Sequence, residues 1–314
     1  MADTRADAAT PANGTSAAAY PLLTLTTLMW AGNAVAGKWA TGEVSPQVLT
    51  TSRWAIACAV LVIIARRPVS REWRRLVPHW RRVMLMGACG YTAYASLFYL
   101  AGTHTSALNL ALFQGAIPVL VILLNLVVNR ARTTIGQVAG VVVTLGGATV
   151  AATHGDWSVL RTLSFNVGDG LMLAACLFYA GYTVALPSRP KVAALTFFSA
   201  MAGAALLTSL PLLLAEWLAG NLIWPTAWGW AVVAFVALGP SLAAQLAFMR
   251  GVETIGPNRA GLFVNLVPVF GALLAVVLVG EPFGAVEGLA LAMVLCGIAI
   301  AESSARRWRT RQGW

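Results

Sequence analysis

Residues 113–151 read FQGAIPVLVILLNLVVNRARTTIGQVAGVVVTLGGATVA, and residues 263–301 read FVNLVPVFGALLAVVLVGEPFGAVEGLALAMVLCGIAIA. Nine positions are identical, each pair 150 residues apart: Phe113, Pro118, Val119, Leu123, Leu124, Val127, Leu145, Gly147 and Ala151, matched by Phe263, Pro268, Val269, Leu273, Leu274, Val277, Leu295, Gly297 and Ala301. Each stretch is long enough for two membrane-spanning helices. Duplicated halves of a helical membrane protein are typical of transporters, whose substrate site lies where the halves meet.

The composition of the whole chain agrees with a membrane protein. Of its 314 residues 59% are hydrophobic and 10% charged, and the mean hydropathy is +0.75, whereas a soluble domain carries about 25% charged residues. Residues 1–19 have no apolar face and are expected to form a disordered cytoplasmic tail. They do not resemble a secretory signal, because they lack a basic start and their small residues precede the apolar run.

Ten apolar segments predict an all-α integral membrane protein with ten transmembrane helices. The predicted spans are roughly 20–40, 46–66, 82–102, 106–128, 134–153, 167–187, 192–215, 227–248, 257–279 and 284–303. The first five form one repeat, 20–153, and the last five a second repeat, 167–303, with a connecting loop at 154–166 and a basic tail at 304–314. Five spans is an odd number, so the second repeat must start on the opposite side and the repeats are inverted.

Basic residues alternate between the two sides of the predicted membrane. The loops after spans 2, 4, 6 and 8, their edges and the segment after span 10 hold Arg66, Arg67, Arg71, Arg74, Arg75, Arg81, Arg82, Arg130, Arg132, Arg189, Lys191, Arg250, Arg306, Arg307, Arg309 and Arg311. The opposite loops hold Arg161. Lys and Arg accumulate on the cytoplasmic side, which predicts a bacterial inner-membrane protein with both termini cytoplasmic. The net charge of +10 then reflects topology and contacts with lipid headgroups, so no nucleic-acid partner is expected.

Several short motifs occur in the order found in a known family. They are Trp30-Ala-Gly-Asn33 with Lys38, Arg53-Trp54-Ala55, Ala101-Gly-Thr-His-Thr-Ser-Ala107, Pro118, Pro268, Gly280-Glu281-Pro282 and Gly297. Over about 20–303 the chain resembles the EamA-like branch of the drug/metabolite transporter superfamily, and its aromatic-rich spans are similar to the bacterial exporters of aromatic amino acids. The first half departs from the pattern at Ala131, which takes the place of Glu281.

Polar and aromatic residues at membrane depth are the candidate substrate-binding residues, because a buried amide usually faces the interior of a helix bundle. They are Trp30, Asn33, Arg53, Tyr91, Tyr94, Phe98, Gln114, Tyr179, Tyr182, Gln245 and Asn265. Tyr91, Tyr94 and Phe98 share one helical face by spacing and could form an aromatic wall. The alternative for the tyrosines is ordinary helix packing or an interfacial belt, and for the amides interhelical hydrogen bonding.

Two charges and two prolines need an explanation. Lys38 and Arg53 could each attract a carboxylate; alternatively Lys38 snorkels to the surface and Arg53 bonds carbonyl groups at a helix end. Pro118 and Pro268 lie midway along spans 4 and 9. Each proline kinks its helix, either as a conformational element lining the cavity or as a static packing feature.

Other chemistry finds no support in the sequence. Cys58, Cys89, Cys176 and Cys296 lie singly in apolar runs, so they are read as core residues. There is no ATP-binding or metal-ligand motif, so no catalytic residue, metal site or cofactor is predicted, and a monomer is expected. No carboxylate lies at mid-membrane, which favours uncoupled downhill efflux over proton coupling.

The sequence thus predicts a non-enzymatic exporter of small organic metabolites, most simply aromatic or large apolar amino acids, working by alternating access. One alternative keeps the fold and changes the cargo to other drugs or organic cations. The alternatives of another class are a membrane-embedded channel and a lipid-handling enzyme.

Overall fold

The computed structural model describes residues 13–130, 134–153 and 166–312, with the side chains of 13–17, 152–153, 257–259, 262, 302 and 305–312 left aside. These residues are helical, and no strand occurs among them. The first repeat contains α1 (Asn13–Trp39), α2 (Pro46–Ile64), α3 (Arg66–Gly102), α4a (Ala107–Gln114), α4b (Ile117–Val128) and α5 (Ile135–Thr153). The second contains α6 (Val167–Ala185), α7 (Ala194–Leu218), α8 (Ala227–Ile255), α9a (Pro257–Val264), α9b (Val267–Val279) and α10 (Ala285–Gln312).

Six helical stretches within the described residues are long and apolar enough to cross a membrane. They are α2, α3, α4a with α4b, α6 extended to Ser188, α7 and α8. Shorter apolar helices occupy Ile135–Ala151, Val267–Val279 and Ala285–Ala301. An apolar helix of about 20 residues matches the bilayer thickness, so the chain has the features of a multi-pass membrane protein.

The repeat seen in the sequence is also present in the backbone. Helix α4 breaks at a turn at 115–116, and helix α9 breaks at 265–266, again 150 residues later. The N–H of Ala116 bonds the carbonyl of Phe113, and the N–H of Leu266 bonds that of Phe263. π-Helical segments also recur, at Ala88–Ala93 in α3 and Ala237–Ala243 in α8. π-Segments are frequent at functional sites, and these two flank the same central space.

Small residues allow the two repeats to pack closely. Helices α5 and α10 form the most extensive pair, with Gly140 of α5 against Gly297 and Ala301 of α10. A Cβ atom at Gly297 would overlap Thr144 Oγ1. The Gly136/Gly140 pair therefore serves helix packing, as small residues do in membrane bundles.

The ends of several elements differ from the predicted boundaries. Helix α1 begins at Asn13, so 13–19 is helical instead of disordered; the Ala-rich run before position 20 favours the helix. Helix α3 begins at Arg66 because its amphipathic first part is continuous with the apolar span, and α10 continues to Gln312. Residues 1–12 of the expected tail and 154–165 of the expected connection lie outside the described residues.

Candidate functional site: a central cavity between the repeats

A cavity of about 770 Å³ lies between the two repeats. Its wall includes residues of α1 to α4 from the first repeat and of α6 to α9 from the second, together with one residue of α5 and two of α10. It extends to Asn125, Gln137, Leu186 and Ala301, near the helix ends that adjoin the arginine-rich segments. We call this the open end.

At the opposite, closed end, a buried polar network seals the cavity. The guanidinium group of Arg53 donates from Nε to Ser241 Oγ at 2.8 Å and from Nη1 to the hydroxyl of Tyr99. The Tyr99 hydroxyl donates in turn to Asn33 Oδ1 at 2.8 Å. All four side chains are at least nine-tenths buried. The network joins α1, α2 and α3 of the first repeat to α8 of the second.

Beyond this network, apolar packing fills the closed end. Val48 and Leu49 of α2, Phe98 of α3 and Val233 of α8 belong to one buried cluster. Each is at most 2% exposed. Substrate therefore has no passage through this end in the observed conformation.

Aromatic rings form much of the cavity wall. Trp54 stacks on Tyr91 with ring centroids 4.7 Å apart and planes 7° from parallel. Tyr91 meets Tyr182 edge-on at 5.8 Å, Tyr182 meets Tyr179 at 5.6 Å, and Tyr179 lies 5.0 Å from Tyr94. Pairs at such separations and angles stabilise one another beyond their area burial, so the wall is a connected set of rings.

Amide side chains and one indole add polar groups to the wall. Gln114 Oε1 accepts a hydrogen bond from the Tyr94 hydroxyl at 3.2 Å, and Trp30 Nε1 donates to the carbonyl of Pro240 at 3.1 Å. Gln245 and Asn265 also line the cavity. The site is thus apolar with a few placed polar groups, as small-molecule sites usually are.

Pro118 and Pro268 lie on the cavity wall, directly after the two helix breaks. Each is at the start of the second helical segment, α4b or α9b, and not inside a continuous kinked helix as predicted. A proline has no N–H to donate to the carbonyl four residues earlier. The carbonyl groups of Gln114 and Val264 are therefore released from helical bonding where both residues line the cavity.

The structure brings together most of the predicted binding residues. Trp30, Asn33, Arg53, Tyr91, Tyr94, Gln114, Tyr179, Tyr182, Gln245 and Asn265 all lie on the cavity wall; their role in binding stays a prediction. Phe98 does not lie there, so its predicted place on the aromatic wall is wrong. Phe98 is fully buried and packs against Gly37 and Tyr99. Tyr94 and Phe98 do share a helical face, with ring centroids 5.8 Å apart, but Phe98 lies one turn nearer the closed end, where the apolar cluster covers it.

Several wall residues escape the sequence reasoning. They are Trp54, Phe198, Ser241 and Phe248. A signal existed for Ser241, because it lies 150 residues after Tyr91 and occupies the equivalent π-segment. The others carry no such mark; Phe248 lies 5.1 Å from the ring of Trp30, a contact that depends on how α1 packs on α8.

Carboxylates at the closed end connect the repeats instead of lining the cavity. Glu281, after α9b, accepts hydrogen bonds from the backbone N–H groups of Ala107 at 2.7 Å and Leu108 at 2.8 Å. It therefore caps the start of α4a, where the helix dipole favours a negative charge. Glu216 of α7 similarly accepts from Ser45 Oγ at 2.6 Å and from the N–H of Gln47 at 3.3 Å, at the start of α2.

The two repeats are not in equivalent arrangements. At the closed end α4a packs against α9b, and α1 packs against α4a. The pairs related to these by the repeat are α9a with α4b and α6 with α9a. Within the described residues, neither of those pairs makes an extended contact. The same interface is thus closed at one end of the molecule and separated at the other.

The remaining charged residues are placed away from the cavity. Lys38 donates to the carbonyl of Thr105 at 3.2 Å at the closed end. Among the described residues, no three His, Cys, Asp or Glu side chains are grouped so as to hold a metal ion.

Comparison with known proteins identifies the family. Residues 17–153 and 166–302 each match the EamA-like transporter family. The chain is 26% identical over 278 residues to "Uncharacterized transporter YyaM" of Bacillus subtilis, covering 86% of this chain and 88% of that one. It is 27% identical over 233 residues to an "Uncharacterized transporter" of Methanothermobacter thermautotrophicus, covering 69% and 63%.

A solved crystal structure has the same fold. It shares 23% sequence identity with the chain and superimposes with a TM-score of 0.63, over 93% of this chain and 99% of the other. The two family matches, one in each repeat, together cover most of the chain. The chain therefore belongs to the EamA-like transporter family.

Proposed function

We propose that this membrane transporter exports small organic metabolites with an aromatic or large apolar group, most simply amino acids, by alternating access. In this proposal ten helices cross the bacterial inner membrane, both termini are cytoplasmic, and a monomer works without a cofactor. The open end of the cavity then faces the cytoplasm, because the arginine-rich segments adjoin it.

The observation that carries the proposal is the inequivalence of the two repeats. Inverted repeats can exchange conformations, and the exchange moves the opening from one side to the other. Here α4a contacts α9b at the closed end, while the described residues of the equivalent α9a and α4b make no extended contact at the open end. Separating the first pair and joining the second would turn a cytoplasm-facing cavity into an outward-facing one.

The cavity wall supports the choice of cargo. A volume of about 770 Å³ lies within the usual range for small-molecule sites. The connected rings of Trp54, Tyr91, Tyr94, Tyr179 and Tyr182 suit a flat apolar group. The polar network at the closed end can orient a polar head.

The absence of acidic side chains from the described cavity wall supports uncoupled efflux. Proton-coupled carriers commonly place a carboxylate or histidine at membrane depth. In the described part of this chain Glu216 and Glu281 cap helices near the ends, and the buried Asp169, in the first turn of α6, accepts hydrogen bonds from Thr105 and Asn109 away from the cavity wall. Cargo would therefore move down its own electrochemical gradient.

Organic cations are the second candidate cargo, because aromatic rings bind cations through their faces. The buried guanidinium of Arg53 on the wall disfavours them. A channel or a lipid-handling enzyme finds less support, because the cavity is closed at one end and its described wall lacks clustered acids or histidines.

Counterflow in proteoliposomes tests the function. Vesicles preloaded with unlabelled phenylalanine should transiently accumulate labelled phenylalanine, and Tyr179→Ala should raise KM about three- to tenfold, since an aromatic contact contributes about 0.5–1.5 kcal/mol. Tyr20→Ala, at a half-exposed position off the wall, is the matched control. Conduction without saturation would indicate a channel, and counterflow for organic cations alone would replace the proposed cargo.

A further inference from the structure

Arg53 is the one formally charged side chain on the described cavity wall. Its residue is 7% exposed, and no carboxylate pairs with it among the described residues. A guanidinium group has five N–H donors. Two of them serve Ser241 and Tyr99, so three remain without an acceptor in the described part of the protein.

A buried, unpaired cation is unfavourable, and removal of its charge by deprotonation is not available to arginine. A negative group inside the cavity would supply both the missing charge and the missing acceptors. The planar guanidinium matches a carboxylate, with which it forms two parallel hydrogen bonds. An anionic cargo would therefore supply the negative charge and the hydrogen-bond acceptors that the described cavity wall does not provide to Arg53.

The amide oxygens nearest Arg53 each accept one hydrogen bond already, which leaves each of them a single free lone pair. Asn33 Oδ1 already accepts from the Tyr99 hydroxyl, and Gln114 Oε1 accepts from the Tyr94 hydroxyl. The amide nitrogen of Asn33 makes no hydrogen bond within the described part of the protein. An ammonium group needs acceptors, and near Arg53 the amide oxygens are each already partly engaged.

The aromatic faces offer little compensation for an ammonium group. One face of Tyr91 is covered by the stacked indole of Trp54. Tyr179 and Tyr182 pack edge-on against each other and against their neighbours. The Arg53 guanidinium itself lies over the rings of Trp54 and Tyr99, 5.0 and 5.6 Å from their centroids, so the ring faces nearest this site already contact a cation.

We propose that the cavity selects organic monoanions: molecules with an aromatic or large apolar group and one carboxylate, without a compensating ammonium group. The inference rests on the proposed export function, and it replaces amino acids, which carry an ammonium group, with carboxylates of the same aromatic or apolar kind as the favoured cargo. Each turnover then moves one negative charge outward. In a cell with a negative interior the membrane potential drives that movement, and a potential of about 100 mV corresponds to about a fifty-fold gradient of a monoanion.

A ring-matched set of probes tests the proposal on the unmodified protein. The set is 3-phenylpropanoate (anion), phenylalanine (zwitterion), 2-phenylethylamine (cation) and 3-phenylpropan-1-ol (neutral). In proteoliposomes, with leak through protein-free vesicles subtracted, 3-phenylpropanoate should have at least a tenfold higher kcat/KM than phenylalanine. An inside-negative potassium diffusion potential should accelerate efflux of 3-phenylpropanoate and leave efflux of phenylalanine unchanged.

Variants of Arg53 connect the selectivity to the charge. Arg53→Gln should reduce the preference for the anion to less than about threefold, whereas Arg53→Lys should retain the preference with weaker binding. Arg250→Gln, which changes an exposed arginine paired with Glu253, should leave it intact. If Arg53→Gln does not fold, the four probes and the response of efflux to the membrane potential still test the monoanion proposal on the unmodified protein.

The outcomes separate the two proposals. Phenylalanine transported in preference to 3-phenylpropanoate would overturn the monoanion proposal and leave the export function standing. Preference for 2-phenylethylamine would overturn the monoanion proposal and replace the proposed cargo with organic cations, and no saturable transport of any of the four probes would overturn both proposals.

Discussion

Glu281→Gln should shift the protein toward the conformation in which the closed end is open. Glu281 follows α9b and bonds two N–H groups at the start of α4a, at 2.7 and 2.8 Å. The equivalent pair at the other end, α9a and α4b, is separated, so we expect these two bonds to break when the closed end opens.

The size of the shift follows from the two bonds. A hydrogen bond to a charged group contributes about 1.5–3 kcal/mol and one between neutral groups about 0.5–1.5 kcal/mol. Glutamine keeps one neutral acceptor, and Glu281 is only half-buried, so the net loss is at least about 1.4 kcal/mol. That is about a tenfold change in the equilibrium between the two conformations.

Thiol accessibility measures this equilibrium. In a variant lacking the four native cysteines, Val48→Cys places a reporter at a position 2% exposed in the closed end. In nanodiscs its reaction with a polar maleimide should be about ten times faster with Glu281→Gln. Glu253→Gln, which alters an exposed carboxylate, should not change it.

A second reporter distinguishes a shift between the two conformations from a general loosening of the fold. Thr183→Cys lies on the cavity wall and should react no faster with Glu281→Gln. Equal rates at Val48→Cys with and without Glu281→Gln would refute the reasoning, as would faster reaction at both reporters.

Four further outcomes are expected. Pro118→Ala and Pro268→Ala should each slow flux with near-unchanged affinity, while Pro211→Ala, inside α7 and off the described wall, should not; lower thermal stability with full activity per folded molecule would instead make the breaks packing features. Gly297→Ala should lower the free energy of unfolding by about 1–3 kcal/mol through overpacking, whereas Gly203→Ala, where a Cβ meets nothing, should be neutral or stabilising in the same thermal denaturation assay. Flux at equal pH on both sides should follow the cargo gradient, and accumulation driven by a pH gradient alone would reveal a missed coupling site. Reporter fusions in the loops after α2, α4b, α6 and α8 should be cytoplasmic, and a periplasmic loop after α2 would reverse the proposed direction.

The repeat and most of the cavity could be predicted because both leave marks in the sequence. Pro118 and Pro268, 150 residues apart, mark the two helix breaks, although the sequence could not show that a turn precedes each proline. Buried amides such as Gln114 and Asn265 point inward for energetic reasons that hold in any helix bundle. These predictions needed no knowledge of how the helices pack.

The errors and omissions concern features that packing decides. The prediction for Phe98 was wrong because helical spacing gives the face on which a residue lies and not the depth at which the closed end is packed. Trp54 looked like part of a motif, and only the tertiary fold shows its ring stacked on Tyr91. The sequence shows that Ala131 is the counterpart of Glu281, but only the structure shows that Glu281 caps the start of α4a.

The hydrogen bonds of Glu281 to the start of α4a affect which side of the membrane the cavity of the empty protein faces. The counterpart of Ala107 is Pro257, which has no N–H, and the counterpart of Glu281 is Ala131. In the proposed alternating-access mechanism the equivalent bonds therefore cannot form in the same way in the outward-facing conformation, and we expect the two conformations of the empty protein to be unequal in energy. A molecule arriving from outside meets the less populated conformation, and its apparent dissociation constant rises in inverse proportion to that population. Because the repeats are unequal, the half-saturation concentrations of cargo on the two sides of the membrane would differ. Cargo at low external concentration would then re-enter slowly, although no structural element blocks inward transport.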